Sequence, residues 1–334
     1  MPKHDLAFYQ DVPAQDVIKV ANLADDNGFE NLWLIDSTDV YPDPWPTAGY
    51  LALNTSRVRI GPGVTQPVTR HPRVTANCAL TVHDISGGRA ILGMGAGANT
   101  VRTLGWRPVS VAVMKEAVDI CRARFKEKGA DIPIYVAAAG DKAMAYACKE
   151  ADGVIATGAN SPTALRGIVQ RVRTAAKEVG RDLRTLPVSV SVGFAIAHDR
   201  REAMDDMRGP LAVSIKGALG YADKGRKTGL PPRWPPELEH LREEGEKVGR
   251  AYDHIHHMKS HTSQAALVTD ALVEALGGPV GTPEEVVPKF QALWREEAKI
   301  QEEGVDLRLS LNPGGRGKAR SFVLFVKEVL PKLR

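Results

Sequence analysis

Asp36 closes the apolar run NLWLID. A carboxylate at the end of a buried strand must find donors or face a ligand, because an unpaired buried charge is costly. The plainer reading is an N-cap for the next segment. A second feature is HDISGGRAILGMGAGAN at 83–99, in which Gly93, Gly95 and Gly97 alternate after a short apolar run. Glycines so placed let backbone approach a phosphate or a flat ring. A dinucleotide fingerprint would open a helix directly and set an acidic residue at a second strand end about 20 residues later. The downstream NTVRTLGWRPVSVAVMKEAVDI instead carries its acidic residues on a helical pattern, which counts against a nicotinamide-binding Rossmann fold.

Three further groups bear on chemistry. VAAAGDKAM and VIATGANSP place Ala139, Gly140, Thr157, Gly158 and Ala159 where strands give way to helices. Open amides at a helix start favour an anion, although small residues also make plain turns there. The histidines of AYDHIHHMKSH, His254, His256, His257 and His261, have i, i+3 and i, i+4 spacings suited to a metal, but no carboxylate or cysteine at a motif spacing joins them. No metal is expected; a solvated face, or contact with an anionic substrate, is the alternative. Cys78, Cys121 and Cys148 lack CxxC spacing and are odd in number, so neither a disulfide framework nor a zinc site is suggested. Cys78 reads as a core residue, and Arg200 and Arg201 as solvated.

These residues need a scaffold. Strand patterns occur at 5–10, 31–36, 57–64, 89–95, 133–140, 152–158, 187–197 and 305–312, with amphipathic helical stretches between them. In PAQDVIKVANLADDNG, Val17, Val20, Ala21 and Ala24 share a face and Gly28 stops the helix. Eight strands alternating with helices predict an α/β fold, a (β/α)8 TIM barrel, with a doubly wound sheet as the rival. One domain is expected over 1–334. The stretch 207–280, with GLPPRWPPELEH, interrupts the rhythm between strands seven and eight and reads as a helical insertion, a lid or substrate wall, or a peripheral excursion.

Composition narrows the function classes. The 334 residues are 43% hydrophobic and 25% charged, enough for a large core. The net charge of +4 comes from 44 basic and 40 acidic residues, interspersed and without a basic stripe, so no nucleic-acid partner is expected. MPKHDLAFYQ lacks a leader pattern and no long apolar run occurs, so the expectation is a cytoplasmic protein without membrane contact.

The blocks IGPGVTQPVTRHPRVTANCALTVHDISGGRAILGMGAG, VAAAGDKAMAYACKEADGVIATG and VGTPEEV resemble, over nearly the whole chain, the bacterial luciferase-like superfamily. Within it the resemblance is to the coenzyme F420-dependent methylenetetrahydromethanopterin reductase branch. It implies a barrel holding coenzyme F420, or alternatively FMN, at the strand C-termini. It also implies a non-proline cis peptide at Gly63–Val64 backing the ring, with Asp36 as the catalytic residue and, with Gln66, as the holder of the ring edge. Gly95, Gly97 and Asn99 would line the mouth, and Ala139, Gly140, Thr157, Gly158 and Ala159 would take the ribityl chain and phosphate. Ser37 stands where the family often has histidine, which counts against a histidine-mediated proton transfer. The link from Val109 to Ile132 is shorter than in relatives. The implied function is an oxidoreductase passing hydride between coenzyme F420 and an electron-poor carbon or imine of a small-molecule substrate, as a homodimer or higher oligomer. An FMN-dependent luciferase-like monooxygenase and a non-catalytic cofactor-binding barrel are the alternatives.

Overall fold

The computed structural model describes residues 3–38, 40–97, 100–228, 232–256, 259 and 261–333. They form two compact units, one of Met1–Ser191 with Arg295–Asn312, the other of Val192–Trp294 with Pro313–Arg334.

The first unit holds the barrel. Its strands and helices alternate as β1 (Asp5–Phe8), α1 (Ala14–Asp26), β2 (Asn31–Leu34), α2 (Pro44–Asn54), β3 (Arg59–Pro62), α3 (Pro72–Ile85), β4 (Leu92–Met94), a short α4 (Thr100–Thr103), α5 (Val111–Glu127), β5 (Ile134–Ala137), α6 (Asp141–Glu150), β6 (Gly153–Thr157), α7 (Pro162–Val179) and β7 (Val188–Ile196). The helices follow from local chemistry. In α1, Val17, Val20, Ala21 and Ala24 are buried, and Gly28 takes φ +79° just past its end. In α7, Ser161 caps the start and left-handed Gly180 the end.

All eight barrel strands are parallel, in the order β3-β2-β1-β11-β7-β6-β5-β4, where β11 is Leu307–Pro313. Parallel bridges Ile60↔Ala90 and Thr65↔Met94 close the ends of that order on each other. The expected (β/α)8 barrel is therefore the fold. Seven of the eight strand patterns extend past the observed strands at their C-terminal ends, because there the chain leaves the ladder to build the mouth, whereas the last, 305–312, ends one residue short of β11. Arg89 is likewise not in β4; its guanidinium donates to the carbonyls of Ala52, Thr55, Val58 and Ser86.

Alternation along each strand fills the lumen in layers. At the N-terminal end lies a polar floor. Asp5, fully buried, accepts hydrogen bonds from Asn31 (2.7 Å), Trp33 Nε1 (3.1 Å) and Ser189 (2.6 Å). Burial raises its pKa, against the pull of those bonds and of Arg308. Above it, Ala7, Trp33, Ile91, Tyr135 and Ile155 form an apolar plug, with the Trp33 and Tyr135 rings 5.3 Å apart. At the C-terminal end Tyr9, Val64, Gly97, Ala137, Thr157 and Asn312 are all partly or fully exposed among the described residues.

The second unit has its own core. It contains Val192–Ile196 of β7, α8 (Arg200–Ala218), the hairpin β8 (Tyr221–Asp223) and β9 (Arg226–Lys227), α9 (Arg242–Ala251), α10 (Ser263–Ala266), α11 (Asp270–Leu276) and β10 (Val280–Gly281), which pairs with Ala195 and Ile196 of β7. The helix α12 (Pro283–Glu302) begins here and α13 (Lys318–Leu324) follows β11. Met207, Leu211, Trp234, Val248, Tyr252 and Leu272 pack together. Among the described residues, no helix is long and apolar enough to cross a membrane.

Candidate active site

The end of β2 carries Asp36, whose side chain is 5% exposed. Thr65, just past β3, donates to its Oδ2 at 2.6 Å, and Arg70 Nη1 donates to the same oxygen at 2.8 Å. Thr100 at the start of α4 donates to the Asp36 carbonyl at 2.9 Å. The segments after β3 and β4 thus fix this aspartate at the end of β2. Its Oδ1 makes no hydrogen bond among the described residues, leaving one carboxylate oxygen for an outside donor. The second arm of Arg70 bonds Asp43, the N-cap of α2. Burial alone would lower the pKa of Arg70, but Asp36 and Asp43 more than offset it and hold the pKa above its ordinary value.

The Gly63–Val64 peptide is cis, as the resemblance implied. The glycines of β4 have a different reason from the one their spacing suggested. A Cβ on Gly93 would stand 2.5 Å from the Pro62 carbonyl oxygen, one on Gly95 2.5 Å from Val64 Cγ2, and one on Gly97 2.8 Å from Gln66 Cβ. They make room for the neighbouring strand end, so that Thr65 N–H reaches Gly93 O (2.9 Å) and Gly95 N–H reaches Thr65 O (2.8 Å). Gln66 is 1% exposed and spends its carboxamide locally, accepting from Val68 N–H (2.8 Å) and Thr69 N–H (3.1 Å) while donating to Thr69 Oγ1. It shapes the turn after β3. Asn99 lies outside the described residues.

On the other side of the mouth, Gly140 is the N-cap of α6 and supplies no side-chain cap, whereas Asp43, His71, Ser110 and Ser161 cap α2, α3, α5 and α7. The first-turn amides of α6 therefore lack a side-chain acceptor, the arrangement that suits an anion. A Cβ added at Gly140 or Gly158 would meet nothing within 4 Å, so the space beside both is open. Arg171 on α7 donates to the Ala139 carbonyl. Thr157 and Gly158 are exposed, but Ala159 is buried and its N–H is already bonded to Ser191 O at 3.1 Å.

Other residues noted in the sequence lie away from this group. Cys78 is half-buried rather than a core residue, since α3 turns it toward the helix surface; burial pushes the Cys121 thiol up to about 12 and Cys148 to about 11. Arg200 pairs with Glu274 (2.8 Å) and Glu285 (2.9 Å) in the second unit. Of the histidines, His257 lies outside the described residues, His256 is 3.8 Å from Asp253, and no metal-binding group occurs among the described residues. Sequence motifs did not single out Arg70, Thr65, Tyr9 or Asn312. Arg70 stands in the TRHP part of the family block, but its partner lies 34 positions away and only the β2–β3 pairing joins them.

A family model described as luciferase-like monooxygenase matches residues 2–300. The chain is 27% identical to a 5,10-methylenetetrahydromethanopterin reductase of Methanolobus tindarius, over 96% of this chain and 98% of the relative. The solved coenzyme F420 dependent tetrahydromethanopterin reductase from Methanopyrus kandleri superposes with a TM-score of 0.75 at 24% identity, covering 100% of this chain and 99% of that one. An F420-dependent secondary alcohol dehydrogenase in complex with an F420-acetone adduct superposes at 0.69 with 17% identity, covering 100% of both chains.

Proposed function

The chain belongs to the luciferase-like monooxygenase family, and from that premise we propose that it is an oxidoreductase that uses coenzyme F420 to reduce an electron-poor carbon or imine, as its reductase relatives' names suggest. The observation that carries this reading is the barrel mouth, where Asp36 keeps one carboxylate oxygen free and α6 begins without a side-chain cap. Those groups fit a flat ring with a polar edge and an anionic tail. When bound in its reduced form, the coenzyme supplies a hydride.

The chain's own residues do the rest. Gly63 and Val64 back the ring, and Asp36, oriented by Thr65 and Arg70, accepts a hydrogen bond from its edge. Gly95 and Gly97 bring the β4 end close beneath the site. Gly140, Thr157 and Gly158 receive the ribityl chain and phosphate, with Arg171 adding positive charge. The plug around Trp33 and Tyr135 fills the lumen below, so ligands enter from the mouth in this reading. Asp36 is the catalytic residue of this reading.

The protein acts as a homodimer or larger homo-oligomer in this reading, supported by exposed Leu53, Val74, Ile85 and Trp106 on and beside α2, α3 and α4. A reducing cytoplasm suits its three free cysteines. The test is an anaerobic assay with reduced coenzyme F420 and methylenetetrahydromethanopterin, in which oxidised coenzyme should accumulate only when protein and substrate are both present. Oxygen uptake with reduced FMN, and no reaction of coenzyme F420, would replace this reading with the FMN monooxygenase.

A further inference from the structure

We propose that Tyr9 and Asn312 are a donor–acceptor pair at the base of the barrel mouth that binds the lactam edge of a ring, a C=O beside an N–H. The inference rests on the function proposed above and adds residues that neither the sequence motifs nor that reading assigned.

Both side chains point into the lumen by alternation. Asp5 and Ala7 face inward on β1, so Tyr9, two residues on, does too; Arg308 and Ser310 face inward on β11, and Asn312 follows. Continued by one residue, the pairing Asp5↔Ser310 and Leu6↔Leu311 sets Asn312 opposite Ala7 at the edge of the plug, with Tyr9 two residues further along the chain. Asn312 Nδ2 donates to Tyr9 Oη at 3.1 Å.

That bond leaves two capacities unused. A phenol that accepts a hydrogen bond still has its own proton to give. The Asn312 Oδ1 is buried and has no hydrogen-bond partner among the described residues. A buried amide oxygen without a partner is rare in folded proteins and calls for a ligand or water. The pair therefore offers one O–H donor and one C=O acceptor side by side, and the group that satisfies both at once is a cis amide in a ring. Burial raises the Tyr9 pKa, so the hydroxyl keeps its proton at neutral pH. Its ring is partly exposed and lies 5.1 Å from that of Tyr41, tilted 41° to it, a contact that does not involve the hydroxyl.

Two ligands of the proposed reaction carry such an edge, the pyrimidinedione of the coenzyme and the pterin of the substrate. Calorimetric titration of wild type, Tyr9→Phe and Asn312→Ala with coenzyme F420 alone, and with tetrahydromethanopterin alone, separates them. Each substitution should weaken one probe about tenfold and leave the other unchanged. Loss with the coenzyme assigns the pair to the coenzyme ring, and loss with the pterin assigns it to the substrate. If Asn312→Ala melts early, Tyr9→Phe, which keeps the ring against Tyr41, decides. Wild-type affinity of both variants for both probes overturns this inference while sparing the proposed function; a wild-type protein that binds neither probe overturns both.

Discussion

Arg70 Nη1 stands 2.8 Å from Asp36 Oδ2 while the other arm of the same guanidinium holds Asp43 at the start of α2. One cation thus fixes a carboxylate of the mouth and ties it to the outer helix layer. Arg70→Gln would leave Asp36 nearly sealed from water without its charge partner, at a cost on the order of 1–3 kcal/mol. Thermal melts should show a lower Tm and titration a weaker coenzyme F420 complex. Arg70→Lys keeps the charge but not the planar fork, and should recover Tm more than affinity. A glutamine variant with wild-type Tm and affinity would show that the clamp does nothing.

Asp36→Ala removes the free acceptor itself. Loss of a charge-assisted hydrogen bond amounts to about 1.5–3 kcal/mol, so coenzyme affinity or turnover should drop at least about tenfold. An unchanged dissociation constant and rate would reduce Asp36 to a structural anchor for Thr65 and Arg70.

The barrel was legible because eight apolar runs of strand length alternate with helical stripes, and Asp36 was legible because a carboxylate ended one of those runs. What pairwise contact decides was not. The Gly93 and Gly95 spacing pointed to a ligand, yet the atoms nearest a Cβ there are Pro62 O and Val64 Cγ2 of the adjacent strand end. Asp5 reads in DLAF as an ordinary strand residue; only closure of β1 against β2, and of β11 against β7, brings Asn31 and Ser189 to it. Asn312 and Tyr9 are 303 positions apart. The hairpin β8–β9 was not legible because Lys224 adopts the left-handed region, φ +43°, without a sequence that demands it.

The glycines give a sharp contrast. Gly93→Ala should destabilise by about 1–3 kcal/mol, since backbone must move to admit the methyl group. Gly140→Ala, at an ordinary negative φ and with open space around it, should melt like wild type. Equal melting temperatures for the two would contradict the packing described at β4.

Asp25 supplies a pH test. Burial would raise its pKa, but hydrogen bonds from the N–H groups of Val58 (2.6 Å), Ser56 (2.9 Å) and Arg57 (2.8 Å), and from the Ser56 hydroxyl, outweigh it and leave the pKa below the ordinary 3.8. A lowered folded-state pKa contributes stability above the unfolded value and loses it as pH falls through the folded one. Asp25→Asn should therefore cost on the order of 1–3 kcal/mol at neutral pH, with the gap to wild type closing in acid. A gap that is constant from neutral pH to below 3.8 would exclude the charged form as the stabilising one.

The central claim, that the mouth holds coenzyme F420, is tested most directly by titrating the protein with coenzyme F420 and with FMN at low and high salt. The polyanionic tail of coenzyme F420 should gain from the basic excess of the chain, and exposed charge pairs are screened beyond about 8–10 Å at physiological ionic strength. Coenzyme F420 should bind more tightly than FMN at low salt, with the gap narrowing as salt rises; tighter FMN binding throughout, or binding of neither, would contradict the claim.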